Sequence, residues 1–268
     1  MAKEVRASKE KSPSKSVRQL REWFLRDVGV PKAEPFVVDD FQKDAIDHVA
    51  QGVDTLVVAP TGSGKTFIAI ESIRSMVSQG RRAVYTTPLK ALSNTKYSEL
   101  RALFGPQYSV GLLTGDRKIE GDSQLVVATT EIYRNELYQT SERYGLIVLD
   151  EVHFLADPQR GPVWEESIIL TPSTATLLML SASISNPREI SEWIEGVRGK
   201  PCHVVMKKER PVELRYGFLH PDLGVLPLAG PDGDVLPIID QFYEAQRAHE
   251  RPSGRMQRSS RQFRRRRR

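Results

Sequence analysis

Between residues 54 and 206 the chain alternates short, unbroken apolar runs with longer segments that are apolar on one side only. The runs Thr55 to Ala59, Ala83 to Thr87, Leu125 to Thr129, Leu146 to Leu149 and Leu177 to Leu180 lack the polar alternation of a half-solvated strand. Continuous Val/Ile/Leu runs mark parallel strands whose sheet is covered by helices on both faces, and the intervening segments are long enough for crossover helices. The pattern predicts an α/β fold with a mostly parallel, doubly wound sheet. Upstream, Ser16 is placed to cap a helix whose Val17, Leu20, Trp23 and Phe24 share a face, expected to pack on the main domain. A second helix starts at Asp39 or Asp40 and turns Phe41, Ala45 and Val49 inward. After Pro211 the pattern weakens into Gly/Pro-rich sequence from Pro221 to Pro237 and one amphipathic segment, Ile238 to His249. The expected organisation is a disordered charged N-terminus (1–15), an accessory helix (16–34), the main domain (35–210), a linker or the start of a truncated second part (211–250) and a disordered Arg-rich tail (251–268).

Composition changes this picture little. With 268 residues and a hydrophobic share of 39%, the chain can bury a core. No run approaches the roughly 20 apolar residues of a spanning helix, and the N-terminus carries no apolar leader segment, so a cytoplasmic protein without a membrane partner is expected. The single cysteine, Cys202, sits in an apolar, strand-like run and reads as packing; no zinc-type spacing links the five histidines. The net charge of +5 is a tail effect: residues 251–268 hold nine arginines and no acid, which leaves residues 1–250 at −4. A basic overall charge is therefore weak evidence for nucleic acid.

Two motifs carry chemistry. Ala59, Pro60, Thr61, Gly62, Ser63, Gly64, Lys65 and Thr66 follow one apolar run and precede a helical pattern (Phe67, Ile68, Ile70, Ile73, Met76). This is the setting of a phosphate-binding loop: glycines let backbone N–H groups converge at a helix start, Lys65 offers charge to the outer phosphates and Thr66 a hydroxyl to a metal. About 85 residues later, Asp150, Glu151, Val152 and His153 end another apolar run, at the sheet edge where ligands of open α/β folds bind. There Asp150 is suited to hold magnesium and Glu151 to position the attacking water.

With these motifs in place the chain resembles superfamily two DExH-box helicases, and within them the superkiller-type RNA helicases, over about residues 36–215. Asp150 to His153 reads DEVH; Ser181, Ala182 and Ser183 match the family's S-A-T motif with Ser183 in place of Thr; Arg160 to Glu166 is similar to a segment these helicases carry after DEVH, although Trp164 there is equally readable as core. The resemblance implies the first motor (helicase ATP-binding) domain, a RecA-like P-loop fold, ATP with Mg2+ as cofactors, and His153 among the nucleotide-site residues. It further implies a Q-type motif in which the aromatic Phe36 packs on adenine and Gln42 bonds its polar edge. Pro88 and Lys90, Thr114, Gly115 and Asp116, and Thr129 and Thr130 then resemble nucleic-acid-facing segments, expected at helix starts following strands and suited to backbone phosphates, with single-stranded RNA as the implied partner. Nothing after Pro211 resembles the second motor domain, so slow turnover by this chain alone is expected, with a truncated gene or gene fragment the simplest explanation and a split helicase whose second domain is on a separate chain the alternative. A non-catalytic ATP-gated RNA-binding module and a DNA-directed helicase stay open.

Overall fold

The structure, a computed structural model, describes residues 15–26, 37–139, 143–211, 214–230 and 233–250. Most of the charged N-terminus, Phe36 and the arginine tail lie outside the described residues. The chain divides into two compact units, Pro35–Val212 and a smaller one made of Met1–Glu34 with Glu213–Arg268.

The first helix, α1 (Lys15–Leu25), belongs to the smaller unit. The larger unit runs α2 (Asp40–Ala50), β1 (Asp54–Val58), α3 (Lys65–Ser78), β2 (Ala83–Thr87), α4 (Lys90–Phe104), β3 (Val110–Leu113), β4 (Lys118–Ile119), β5 (Leu125–Thr129), α5 (Thr130–Leu137), β6 (Leu146–Leu149), α6 (Gly161–Leu170), β7 (Thr176–Ser181), α7 (Pro187–Arg198) and β8 (Cys202–Met206), with a 3-10 turn over Val152–Ala156. The smaller unit resumes with the antiparallel hairpin β9 (Gly217–His220) and β10 (Gly224–Pro227) and ends in α8 (Pro237–Glu250). No described helix is long and apolar enough to cross a membrane.

The larger unit is one eight-stranded sheet in the order β4-β3-β5-β2-β6-β7-β1-β8, parallel except for the β3–β4 return. Successive residues of each strand feed opposite faces. Val57, Tyr85, Val127, Val148 and Leu180 enter one core with residues of α2, α3 and α4; Leu56, Val84, Val126, Leu149 and Met179 enter the other with residues of α6 and α7. Each fully buried aliphatic side chain contributes about 1.5–3 kcal/mol, so the sheet needs neither a disulfide nor a metal to stand. The five expected strands match β1, β2, β5, β6 and β7 to within a residue at each end.

At the edge where the strands begin, Asp54 and Arg198 form a salt bridge of 2.5 Å with both side chains fully buried. Asp54 Oδ1 accepts the Leu177 N–H at 2.8 Å, and Arg198 donates to the carbonyls of Thr171, Pro172 and Ala175. Beside it, Cys202 is buried, and burial pushes its thiol pKa up to about 12. The thiol is packing, as its sequence setting suggests.

Two expectations change in the smaller unit. Ser16 lies inside α1, and α1 packs on β10 within its own unit, grouped there and not with the main domain. Phe24 is buried, whereas Trp23, expected on the same buried face, is 42% exposed. The stretch read as linker contains the β9–β10 hairpin, whose four-residue strands are too short and too unevenly buried to leave a periodic signal.

Candidate functional site

Because β7 lies between β6 and β1, three loops stand side by side at the carboxyl edge: Ala59–Thr66 after β1, Ser181–Ser183 after β7 and Asp150–His153 after β6. The backbones of the first two are joined, since the Ala59 N–H donates to the Ser181 carbonyl at 3.0 Å. The Ser181 hydroxyl meanwhile accepts the Ser183 N–H and donates to its carbonyl, closing the turn that carries Ala182 and Ser183.

The loop before α3 turns through Gly62 (φ 87°) and Gly64 (φ 89°), left-handed conformations that glycine adopts without strain. Gly64 is also the N-cap of α3, and no side chain caps that end, so the first N–H groups of the helix retain donor capacity for an anion. A Cβ at Gly64 would run into Gln42 Nε2, a second reason for glycine there. Lys65 Nζ lies in the cradle, donating to the carbonyls of Ala59 at 2.7 Å and Pro60 at 3.2 Å. Burial lowers its pKa below the usual lysine value, and the Glu151 and Asp150 carboxylates pull it back up. Thr61 and Thr66 are exposed. Uncapped N–H groups, a cationic side chain and a nearby carboxylate pair fit a nucleotide phosphate chain with a divalent ion.

Asp150 is held on both oxygens: the Tyr85 hydroxyl donates to Oδ2 at 2.7 Å and the Glu151 N–H to Oδ1 at 3.0 Å. Tyr85 is fully buried, and burial followed by the Asp150 charge raises its pKa well above 10. Sequence reasoning missed this residue. Its signal was a phenol in a run read as fully buried, two residues before the strand end, where a buried Tyr must find a partner. Glu151 has φ 57°, a left-handed conformation costly for a side chain with a Cβ. Its carboxylate lies 3.3 Å from His153 Nδ1, and the His153 ring stacks on Phe154, which stacks on Trp164.

Gln42 is 3% exposed and already engaged: Oε1 accepts the Asp39 N–H, completing the capping box of α2, and Nε2 donates to the Ser63 carbonyl. It braces the phosphate loop, which leaves one N–H hydrogen and one lone pair for any base. Lys207 pairs with Asp39 at 2.5 Å and lies over the Phe41 ring; the pairing lowers the Asp39 pKa.

The three remaining segments converge on a second cleft of about 230 Å³, lined among others by Pro88, Lys90, Gly115, Thr129, Arg160 and Trp164. Their chemistry differs from expectation. The Thr130 hydroxyl, on a buried residue, donates to the Thr87 carbonyl at 3.3 Å, the Thr114 hydroxyl donates to Asp116, and Lys90 stands 3.5 Å from Asp116. Thr114 to Asp116 forms the tight β3–β4 return and not a helix start, because the next strand reverses direction. The hydroxyls tie the segments together. What the cleft offers a ligand is backbone N–H groups at the starts of α4 and α5, neither capped by a side chain, and the basic groups of Lys90 and Arg160. Trp164 is 2% exposed and belongs to the core while lining the cleft, so both readings of it hold.

Comparison with known proteins agrees with this geometry. Residues 39–190 match the DEAD/DEAH box helicase family. The chain is 46% identical to the chloroplastic DExH-box ATP-dependent RNA helicase DExH15 of Arabidopsis thaliana over 75% of its length, covering 18% of that protein. It is 37% identical to the ATP-dependent RNA helicase mtr4 of Schizosaccharomyces pombe over 90% of its length, covering 22% of that protein. The chain thus spans about a fifth of the length of these curated relatives. Among solved structures, the DUF1998 helicase MrfA bound to DNA superposes with a TM-score of 0.53 at 21% identity, over 74% of this chain and 30% of that one, a likeness of fold.

Proposed function

The chain belongs to the DEAD/DEAH box helicase family, and on that premise we propose that it is the ATP-binding motor domain of an ATP-dependent RNA helicase, taking Mg-ATP at the three-loop edge and single-stranded RNA in the adjoining cleft. The observation that carries this reading is the side-by-side placement of the β1, β7 and β6 loops, with the Ala59–Ser181 hydrogen bond linking the phosphate loop to its neighbour. Lys65 and the N–H groups opening α3 bind and orient the phosphates. Thr66 and Asp150 would hold Mg2+, which would supply charge to offset that developing on the transferred group. Glu151 orients the water for attack on the γ-phosphorus, and His153 steadies the Glu151 carboxylate. Gln42, with Phe36, selects adenine.

The track is held by backbone and cation. N–H groups at the starts of α4 and α5, with Lys90 and Arg160, suit phosphate oxygens whatever the base sequence. The stacked His153–Phe154–Trp164 series runs from the DEVH turn to the cleft wall, a contiguous packed route between the two sites. RNA is preferred over DNA because the DExH15 and mtr4 relatives are named RNA helicases.

The test is ATP hydrolysis and ATP binding by the purified chain, with and without single-stranded RNA or DNA, alongside Lys65→Ala and Glu151→Gln. Tight ATP binding, hydrolysis stimulated by RNA, and loss of hydrolysis in both variants are expected. Failure to bind ATP would sink the reading; equal stimulation by DNA would replace its track.

A further inference from the structure

A separate group of side chains stands at the sheet edge away from the nucleotide loops. Asp44 and His48 are one turn apart on α2, so they share a helix face, and the pairing of β8 with β1, Thr55 opposite His203, presents His203 to them. His203 Nε2 lies 3.1 Å and His48 Nδ1 3.2 Å from the two oxygens of Asp44, and His48 Nδ1 also donates to the Asp44 main-chain carbonyl at 2.8 Å, which leaves Nε2 as the His48 nitrogen with a free lone pair. One nitrogen or oxygen from each residue lies within 4.8 Å of the others, the one such trio of His, Cys, Asp or Glu among the described residues. The two imidazoles stack at 3.6 Å with planes 10° apart.

We propose that Asp44, His48 and His203 form a binding site for a divalent transition-metal ion of the zinc class. Two imidazole nitrogens and one carboxylate oxygen are the donor set of a borderline cation; magnesium and calcium take oxygen donors. Three protein ligands from a helix and a strand leave a fourth, tetrahedral position for water. The neighbouring Asp40 and Asp47 on α2 add negative charge against the single Lys43. The side chains are 29% to 46% exposed, so an ion reaches them from solvent and the rings turn without repacking the core. A ligating nitrogen points its lone pair at the metal within the ring plane, so coordination turns at least one imidazole out of the stack. The bound ion clamps α2 to β8, and α2 carries Gln42, which braces the phosphate loop through the Ser63 carbonyl. The site is therefore a structural clamp on the helix that braces the loop, distinct from the Mg2+ position proposed at Asp150.

The test is thermal unfolding of the full chain stripped with chelator, then titrated with Zn2+, together with the visible absorption of a Co2+-loaded sample. At a hundredfold excess over Kd the midpoint rises by about 5–10 °C, and Co2+ gives the intense visible bands of a tetrahedral site. Both signals are expected to vanish in His48→Ala and in His203→Ala or the milder His203→Gln, each first shown to unfold cooperatively in chelator. Both are expected to persist in Glu151→Gln. Absence of a shift, an equal shift in the histidine variants, or its loss in Glu151→Gln overturns the proposal.

Discussion

The two edges of one sheet treat charge in opposite ways. Where the strands begin, Asp54 and Arg198 are fully buried, and each is answered by a set of hydrogen bonds that includes the Leu177 N–H and three carbonyls. Where the strands end, Lys65, Glu151 and His153 are half-buried, meet only carbonyls or one another, and Glu151 sits in a strained left-handed conformation. A buried pair with its hydrogen bonds completed can only hold architecture together. Charges left accessible, strained and loosely paired are those a ligand can engage, and perturbed groups at a sheet edge are where chemistry concentrates. Net charge and motif spelling do not separate these cases; burial and completeness of partners do.

The comparison can be broken most forcefully at the closed edge. Arg198→Met leaves Asp54 with Lys200 as its charge partner and removes the guanidinium from three carbonyls, of which Pro172 keeps the Ala175 N–H and Ala175 keeps Lys200. A loss of about 3–5 kcal/mol in denaturant unfolding is expected, and pairing it with Asp54→Asn should recover much of that loss. At the open edge the sign reverses: Lys65→Ala and Glu151→Gln should lower ATP hydrolysis about 10²–10³-fold with unfolding midpoints unchanged. Gln42→Ala tests the seam between the two behaviours. It removes a capping box and the bond to Ser63, so stability should fall by about 1–2 kcal/mol and ATP affinity should fall with it. The smallest effect sharpens the strain argument: Glu151→Gly relieves the left-handed backbone, so stability should hold or rise by up to about 1 kcal/mol while hydrolysis is lost.

The sequence displayed the open edge better than the closed one. Five strands were legible because fully buried strands are written as unbroken apolar runs, and the phosphate loop and DEVH turn were legible because they end such runs. Asp54 and Arg198 were not, since an acid opening one strand and an arginine closing a helix 144 residues away share no local pattern. Tyr85 and Asp150 are likewise joined only by the β2–β6 pairing. The Asp44–His48–His203 group escaped notice for the same reason: two members stood at helical spacing, and the third arrives through the sheet. Thr114 and Thr130 were read for chemistry their hydroxyls do not offer, because a sequence lists donors and acceptors without showing which are already engaged.

The most direct measurement is the affinity for a fluorescent ATP analogue with Mg2+, taken side by side on the wild-type chain, Lys65→Ala and the Asp54→Asn/Arg198→Met pair, each under conditions where it is folded. Affinity weakened at least about tenfold (about 1.4 kcal/mol) by Lys65→Ala and unchanged in the buried-pair variant is the predicted result. Equal loss in both, or loss confined to the buried pair, would contradict the division of the sheet into a chemical edge and a structural one.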